Sequence, residues 1–195
     1  MRKKTFPALM ISLSLLLSGC GKSGADTAQR LQEHYGTMET VRATAQMDFA
    51  YHDQLRSYTL CCSGGQGKYQ VEVLAPEHLA GICAAFDAEE QTLVFEEHLL
   101  DAGAVSQEKI SPAAVLPQLM EALKTGYVFE TGAQQKNGKE CLYAGIDTTG
   151  ETGKIVYSVW FSEEDLTPLY AEVWVENKII FTLEFTEFEF NAILQ

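Results

Sequence analysis

The chain has 195 residues, is 46% apolar and carries a formal charge of −13. That apolar share excludes a disordered polypeptide. The acidic balance excludes a nucleic-acid binder, because phosphate backbones repel it.

The first element is a leader. Arg2, Lys3 and Lys4 precede an apolar run, Phe6 to Leu17, broken only by Pro7, Ser12 and Ser14. A permanent membrane helix needs about 20 apolar residues, so this shorter run predicts a cleavable export signal over residues 1–19. Leu17-Ser18-Gly19-Cys20 follows. Small residues at 18 and 19 suit the narrow subsites of a signal peptidase, and the Cys20 thiol can take a diacylglyceryl thioether. The four residues resemble the bacterial lipobox. Cleavage there leaves 176 residues, enough for one domain with a full core. Losing Arg2, Lys3 and Lys4 takes the charge from −13 to −16, so charge cannot hold the protein on anionic lipid. Two or three palmitate-type chains can, at about 0.8 kcal/mol per buried methylene. The expected location is the extracytoplasmic face of the cell membrane, with residues 20–27 as a small, polar tether and residues 28–195 as the domain.

Asp26 to Glu39 predicts a helix capped by Asp26 or Thr27, with Ala28, Leu31, Tyr35 and Met38 as its apolar stripe. From Thr40 the period drops to two. Val41, Ala43, Ala45, Met47, Phe49 and Tyr51 share one strand face, opposite Arg42, Thr44, Gln46, Asp48 and His52. Asp53-Gln54 turns the chain into a second strand, Leu55 to Cys62, which ends at the turn Ser63-Gly64-Gly65-Gln66-Gly67. Lys68 to Leu74 is a third strand with Tyr69, Val71 and Val73 on one face, stopped by Ala75-Pro76. Leu79 to Phe86 reads as a fourth, turning at Asp87–Glu90 into a return strand, Gln91 to Glu96. Ser111-Pro112 opens a second helix with Val115, Leu116, Leu119, Met120 and Leu123 as its apolar face. Pro117 is expected in or near the first turn, where it is tolerated. Gly126 stops the helix. Five strands complete the chain: Tyr127 to Thr131, Glu140 to Ile146, Ile155 to Phe161, Leu169 to Val175 and Ile179 to Phe190. Asn137-Gly138 is a hairpin turn. In the last strand the apolar phase slips between Phe185 and Phe188, and a bulge near Thr186–Glu187 would keep the aromatics on one face. The fold class is α+β, mainly β: a large, curved antiparallel sheet with helices over one face.

Catalytic or metal chemistry finds no footing. His34, His52, His78 and His98 are scattered and read as surface residues. Glu163-Glu164-Asp165 lacks the glycine and alternate spacing of a cation loop and reads as a solvated turn. Glu184, Glu187 and Glu189 read as exposed edge charges. Gly64-Gly65-Gln66-Gly67 has no Lys-Ser/Thr after it and cradles no phosphate. No cofactor, metal or enzyme activity is predicted. Cys61, Cys62, Cys83 and Cys141 either form disulfides in an exported protein or serve as small buried apolar residues; spacing does not choose.

Three segments carry a family likeness. They are Val159-Trp160-Phe161-Ser162-Glu163-Glu164-Asp165-Leu166-Thr167-Pro168-Leu169, Phe185-Thr186-Glu187-Phe188-Glu189-Phe190-Asn191, and Tyr69-Gln70-Val71-Glu72-Val73-Leu74-Ala75-Pro76. With the order of elements over residues 28–191, they resemble the LolA-like family of outer-membrane lipoprotein carriers, although Ser162 stands where that family usually has Asp. The resemblance implies an open (half) β-barrel wrapped over helices, with an apolar cavity between them. It also implies an acyl chain, lipid or lipidated protein as ligand. Classical members are soluble, whereas this chain has a lipobox. It therefore resembles anchored relatives of spore-forming Firmicutes, some of which act in germination through a protein partner.

The residues expected to line the cavity are Met47, Phe49, Val71, Tyr127, Phe129, Tyr157, Phe181 and Phe185. An ordinary filled core is the competing reading. A second function class is an interaction module, recruiting an envelope protein or forming a homodimer through free strand edges.

Overall fold

The computed structural model describes residues 24–51, 54–89, 92–95, 101–104, 111–148 and 155–192. The leader, Cys20, His52, Asp53 and His98 lie outside the described residues. Helix α1 spans Gly24–Gly36, and strands β1 (Met38–Tyr51), β2 (Gln54–Gly65) and β3 (Lys68–Ala75) follow. Next come a short 3-10 turn (Glu77–Leu79), β4 (Cys83–Asp87), β5 (Thr92–Phe95), β6 (Asp101–Ala104) and helix α2 (Pro112–Thr125). The chain closes with β7 (Tyr127–Lys136), β8 (Lys139–Asp147), β9 (Ile155–Phe161), β10 (Pro168–Val175) and β11 (Lys178–Ala192).

Among the described residues, eleven strands form one antiparallel sheet in the order β6-β5-β4-β3-β2-β1-β11-β10-β9-β8-β7. Among the described residues the two end strands do not pair, so the barrel stays open. Its curvature follows from what α2 touches. The helix packs on β1, β2, β3 and β4 and also on β8. Strands β4 and β8 are seven places apart in the sheet, which is about 34 Å if flat, at roughly 4.8 Å per strand. A helix laid straight across a flat sheet would meet β11, β10 and β9 as closely as β8, yet these approach it less. The sheet therefore arcs around α2. Helix α1 covers the remainder, touching β7 and α2, with Tyr35 packed in tilted and edge-on contacts among Phe161, Phe188 and Phe190.

The strand periodicity sets the inside and outside of this arc. Val41, Ala43, Ala45 and Met47 of β1 are buried, as are Tyr69 and Val71 of β3, while Gln70 and Glu72 are exposed. The expected bulge in β11 is present. Thr44 pairs with Glu187 and Ala45 with Phe185, leaving Thr186 as the extra residue. Phe185, Phe188 and Phe190 consequently all pack against the core. At Asn137-Gly138, both residues take positive φ (51° and 77°), as a two-residue hairpin requires.

Other local expectations are corrected. Helix α1 ends at Gly36, and Met38 already belongs to β1. The turn after β2 is only Gln66-Gly67, both at positive φ; Ser63 to Gly65 continue the strand. The strand expected from Leu79 begins only at Cys83. Gly81 sits at φ 87°, and the Val73 carbonyl accepts from its N–H while Val73 donates to the Ile82 carbonyl. Pro117 is the sixth residue of α2 rather than in its first turn, so the Ala113 carbonyl loses its helical donor. Gly126 stops α2 with an ordinary φ of −68°. It is needed for room, since a Cβ there would lie 2.4 Å from the Ala122 carbonyl oxygen and 2.5 Å from Ile146. Finally, Glu184, Glu187 and Glu189 are not on an edge, because β11 lies between β1 and β10; they line the wet face of a central strand.

Candidate functional site

The concave face collects most of the predicted lining residues. Met47, Val71, Tyr157 and Phe181 are closed to solvent, and Phe49 and Phe185 are partly buried against the same cluster. Pairing explains the gathering. Met47 sits opposite Leu183 and Phe49 opposite Phe181; Phe181 faces Val173 in turn, and Val173 faces Tyr157. Phe49 also stacks on Tyr58 with ring centroids 5.7 Å apart. Into this bowl α2 sends Val115, Leu116, Leu119, Met120 and Leu123, all buried. Apolar burial contributes to stability here at about 25 cal/mol per Å2 removed from water.

Tyr127 and Phe129 are elsewhere. They are 67% and 47% exposed. Strand parity puts Val128 inside, opposite Ile146, and Tyr127 outside, opposite Asp147. Phe129 occupies a bulge between Val128 and Glu130. Its ring lies over Gly145 on the convex side; a Cβ on Gly145 would meet it at 2.6 Å. A bulge in a strand of uncertain inward phase is not visible as residue spacing.

Among the described residues, few side-chain hydrogen bonds hold the helices to the sheet. On α2, Glu121 accepts a 2.6 Å hydrogen bond from Tyr69. Burial, with that bond and the nearby carboxylate, drives the Tyr69 phenol far above its ordinary range. Tyr157 is raised by burial alone. Gln118 of α2 has a buried Oε1 with no hydrogen-bond partner, at an expected cost of about 1–3 kcal/mol. On α1, the Tyr35 hydroxyl donates to the Leu166 carbonyl. Leu166 belongs to the expected acidic turn, where Ser162 donates to the Thr167 carbonyl (2.8 Å) and Thr167 N–H to Asp165 Oδ1 (3.1 Å). The Ser162 and Thr167 hydrogen bonds hold the Asp165 carboxyl below its ordinary value. This segment thus serves as an anchor for α1.

His34 is not a plain surface residue. Its ring packs edge-on against Tyr35 and Phe190, at 4.9 and 5.1 Å. Partial burial, then the Arg30 charge, lower its pKa below 6.5. The unfolded chain therefore binds the proton more readily. Stability is expected to be complete above about pH 6.5 and to fall as the pH drops through the folded value. Thermal melts from pH 7.5 to 5 check this, and a His34→Gln variant should flatten the slope.

None of the four described cysteines is joined in a disulfide. Cys62 faces the interior and Cys61 the convex side, where it pairs with Glu72 and, beyond it, Cys83. Two strand spacings, about 10 Å, exceed disulfide reach. Burial, then the Cys61 neighbour, push the Cys62 thiol up. Among the described residues no group of three or more His, Cys, Asp or Glu is placed to hold a metal ion.

A second apolar cluster on the convex face, Cys141, Tyr143, Trp160 and Tyr170, went unpredicted. Its signal is β9, buried on both faces from Tyr157 to Phe161. Lys136 caps it, 4.0 Å over the Trp160 ring and 2.6 Å from Glu172.

No family model and no curated protein matches the chain. Several solved structures align with it. A domain from Vibrio parahaemolyticus, given as an outer membrane lipoprotein-sorting protein, is 10% identical with a TM-score of 0.48, over 88% of this chain and 92% of that one. A LolA superfamily protein from Nitrosomonas europaea is 9% identical with a TM-score of 0.44, over 86% and 94%. LprF from Mycobacterium bovis is 10% identical with a TM-score of 0.42, over 86% and 95%. The layout expected from the family resemblance, an unclosed antiparallel sheet curled over helices, is the layout of this chain.

Proposed function

We propose that the chain is an exported, non-enzymatic lipoprotein, anchored through Cys20, whose domain takes an acyl chain, lipid or lipidated protein between its concave sheet face and α2. The observation that carries this reading is the wrap of an unclosed apolar sheet around a helix that is itself apolar on most sides. The bowl is occupied by the helix's own side chains. Uptake therefore means that α2 moves aside and the ligand takes over its contacts. Each methylene so transferred from water returns about 0.8 kcal/mol. The Tyr69–Glu121 hydrogen bond is less to break than the backbone ladder of a strand, and the unpartnered Gln118 oxygen likewise favours release of this helix over release of a strand.

The test is mass spectrometry of lipids that travel with the non-acylated protein (Cys20→Ala), paired with uptake of a fluorescent fatty acid. Stoichiometric lipid or saturable uptake is expected. A consistently empty protein that takes up no probe counts against the reading. A second reading is favoured by the exposed Tyr127 and Phe129 on β7, at the open end of the sheet. Such an edge suits an envelope protein partner, as in germination, or a second copy of the chain. Affinity capture that returns one stoichiometric protein and no lipid would favour it.

A further inference from the structure

Besides the concave bowl, the convex face carries a separate cavity of about 330 Å3, and it is built from aromatic walls and polar groups. Phe129 forms one wall, made possible by Gly145, whose missing side chain lets the ring lie on the sheet. Trp174 forms the other. Between them lie Val156 and Ser158 of β9, and Tyr143 closes one side. Strands β7 and β10 are three places apart, about 14 Å, so the two walls face each other across β8 and β9.

The polar groups limit what fits. The Ser158 and Tyr143 hydroxyls are 3.3 Å apart and share one hydrogen bond, leaving lone pairs and a second proton for a ligand. The indole nitrogen of Trp174 is closed to solvent and has no acceptor among the described residues, an unfavourable arrangement unless something accepts from it. Glu176 and Asn177 stand at the rim. Both have positive φ, 49° and 64°. A turn of this kind favours Asn-Gly, so a Glu held there is strained backbone at a cavity mouth.

We propose that this cavity binds a neutral saccharide unit of an envelope glycan. Aromatic walls stack on the C–H faces of a sugar ring, and hydroxyl and acetamido groups supply the acceptor that Trp174 lacks and donors for Glu176. An anionic ligand is disfavoured by Glu176 and by the charge of −13. A trimethylammonium ion would suit the rings, but it offers nothing to the indole N–H. The indole nitrogen is closed to solvent in this structure, so the sugar reaches it only when the cavity lining shifts slightly.

The chain contains two tryptophans. Trp160 donates to Gln134 at 3.0 Å and serves as the internal control. The experiment is an NMR titration of the full chain in detergent with N,N′-diacetylchitobiose, reading the two indole N–H signals. The Trp174 signal is expected to move saturably at low-millimolar sugar while that of Trp160 stays, and choline should produce no such shift. Trp174→Phe, which keeps a ring but loses the N–H, should weaken binding about tenfold. Phe129→Ala, a change at a half-exposed residue that leaves the core intact, should weaken it at least severalfold. An unmoved Trp174 signal up to about 20 mM sugar, well above ordinary weak affinities, would mean an ordered water only and would overturn the proposal. Binding of choline in place of sugar would overturn it too. Acyl-chain uptake by the concave face is independent of either result.

Discussion

Leu119→Ala is expected to destabilise the domain by about 2–5 kcal/mol. Leu119 is fully buried on α2, among the side chains that fill the bowl. Removing its isobutyl group loses the transfer energy of the deleted atoms and leaves a void that close-packed neighbours refill only in part. The void lies where the proposed ligand would sit. The variant should therefore lose stability in urea yet gain uptake of a fluorescent fatty acid relative to the parent. Lost stability without gained uptake would mean that α2 is ordinary core.

Gly65→Ala is expected to be at least as damaging, for a different reason. At the end of β2 a Cβ would lie 1.8 Å from the Glu39 carbonyl oxygen and 3.0 Å from the Thr40 Cα. These are backbone atoms of the start of β1, which cannot rotate away as a side chain would. The β1–β2 pairing must shift at that end, and with it the connection to α1. A loss above about 3 kcal/mol, or failure to fold, is expected from the overpacking. Gly132→Ala is the control. Nothing lies within 4 Å of its Cβ and its φ is ordinary, so it should be neutral or slightly stabilising. Urea denaturation of the pair checks both. Equal stability of the two variants would contradict the close approach at Gly65.

The strand periods carried most of the fold. Val41 to Phe49 and Tyr69 to Val73 showed their buried faces as alternation, and the phase slip after Phe185 marked the bulge at Thr186. Asn137-Gly138 and Ser111-Pro112 stated a hairpin and a helix start directly. The misses have physical causes. Strand β6, Asp-Ala-Gly-Ala, has no β-branched or aromatic residue to mark it. The late start of β4 depends on Val73 bonding to the Gly81–Ile82 backbone, a tertiary contact with no local pattern. Gly64 and Gly65 resemble turn residues in composition, but they are there because neighbouring backbone comes too close for a side chain. For the candidate site, Met47, Phe49, Val71, Tyr157, Phe181 and Phe185 were legible because pairing joins strands of matching phase. Phe129 was not, because a bulge moved it to the convex face. The Trp174 pocket depends on Gly145, a residue whose role is to contribute no side chain.

Hydrogen exchange of the α2 backbone with and without palmitate separates a displaceable helix from a fixed one. If the sheet grips a displaceable helix, saturating palmitate should change exchange across residues 112–125 and leave the paired cores of β1 and β11 unaltered. Identical exchange in α2 with palmitate present in excess would show that the helix is a permanent part of the core and that the bowl takes no acyl chain.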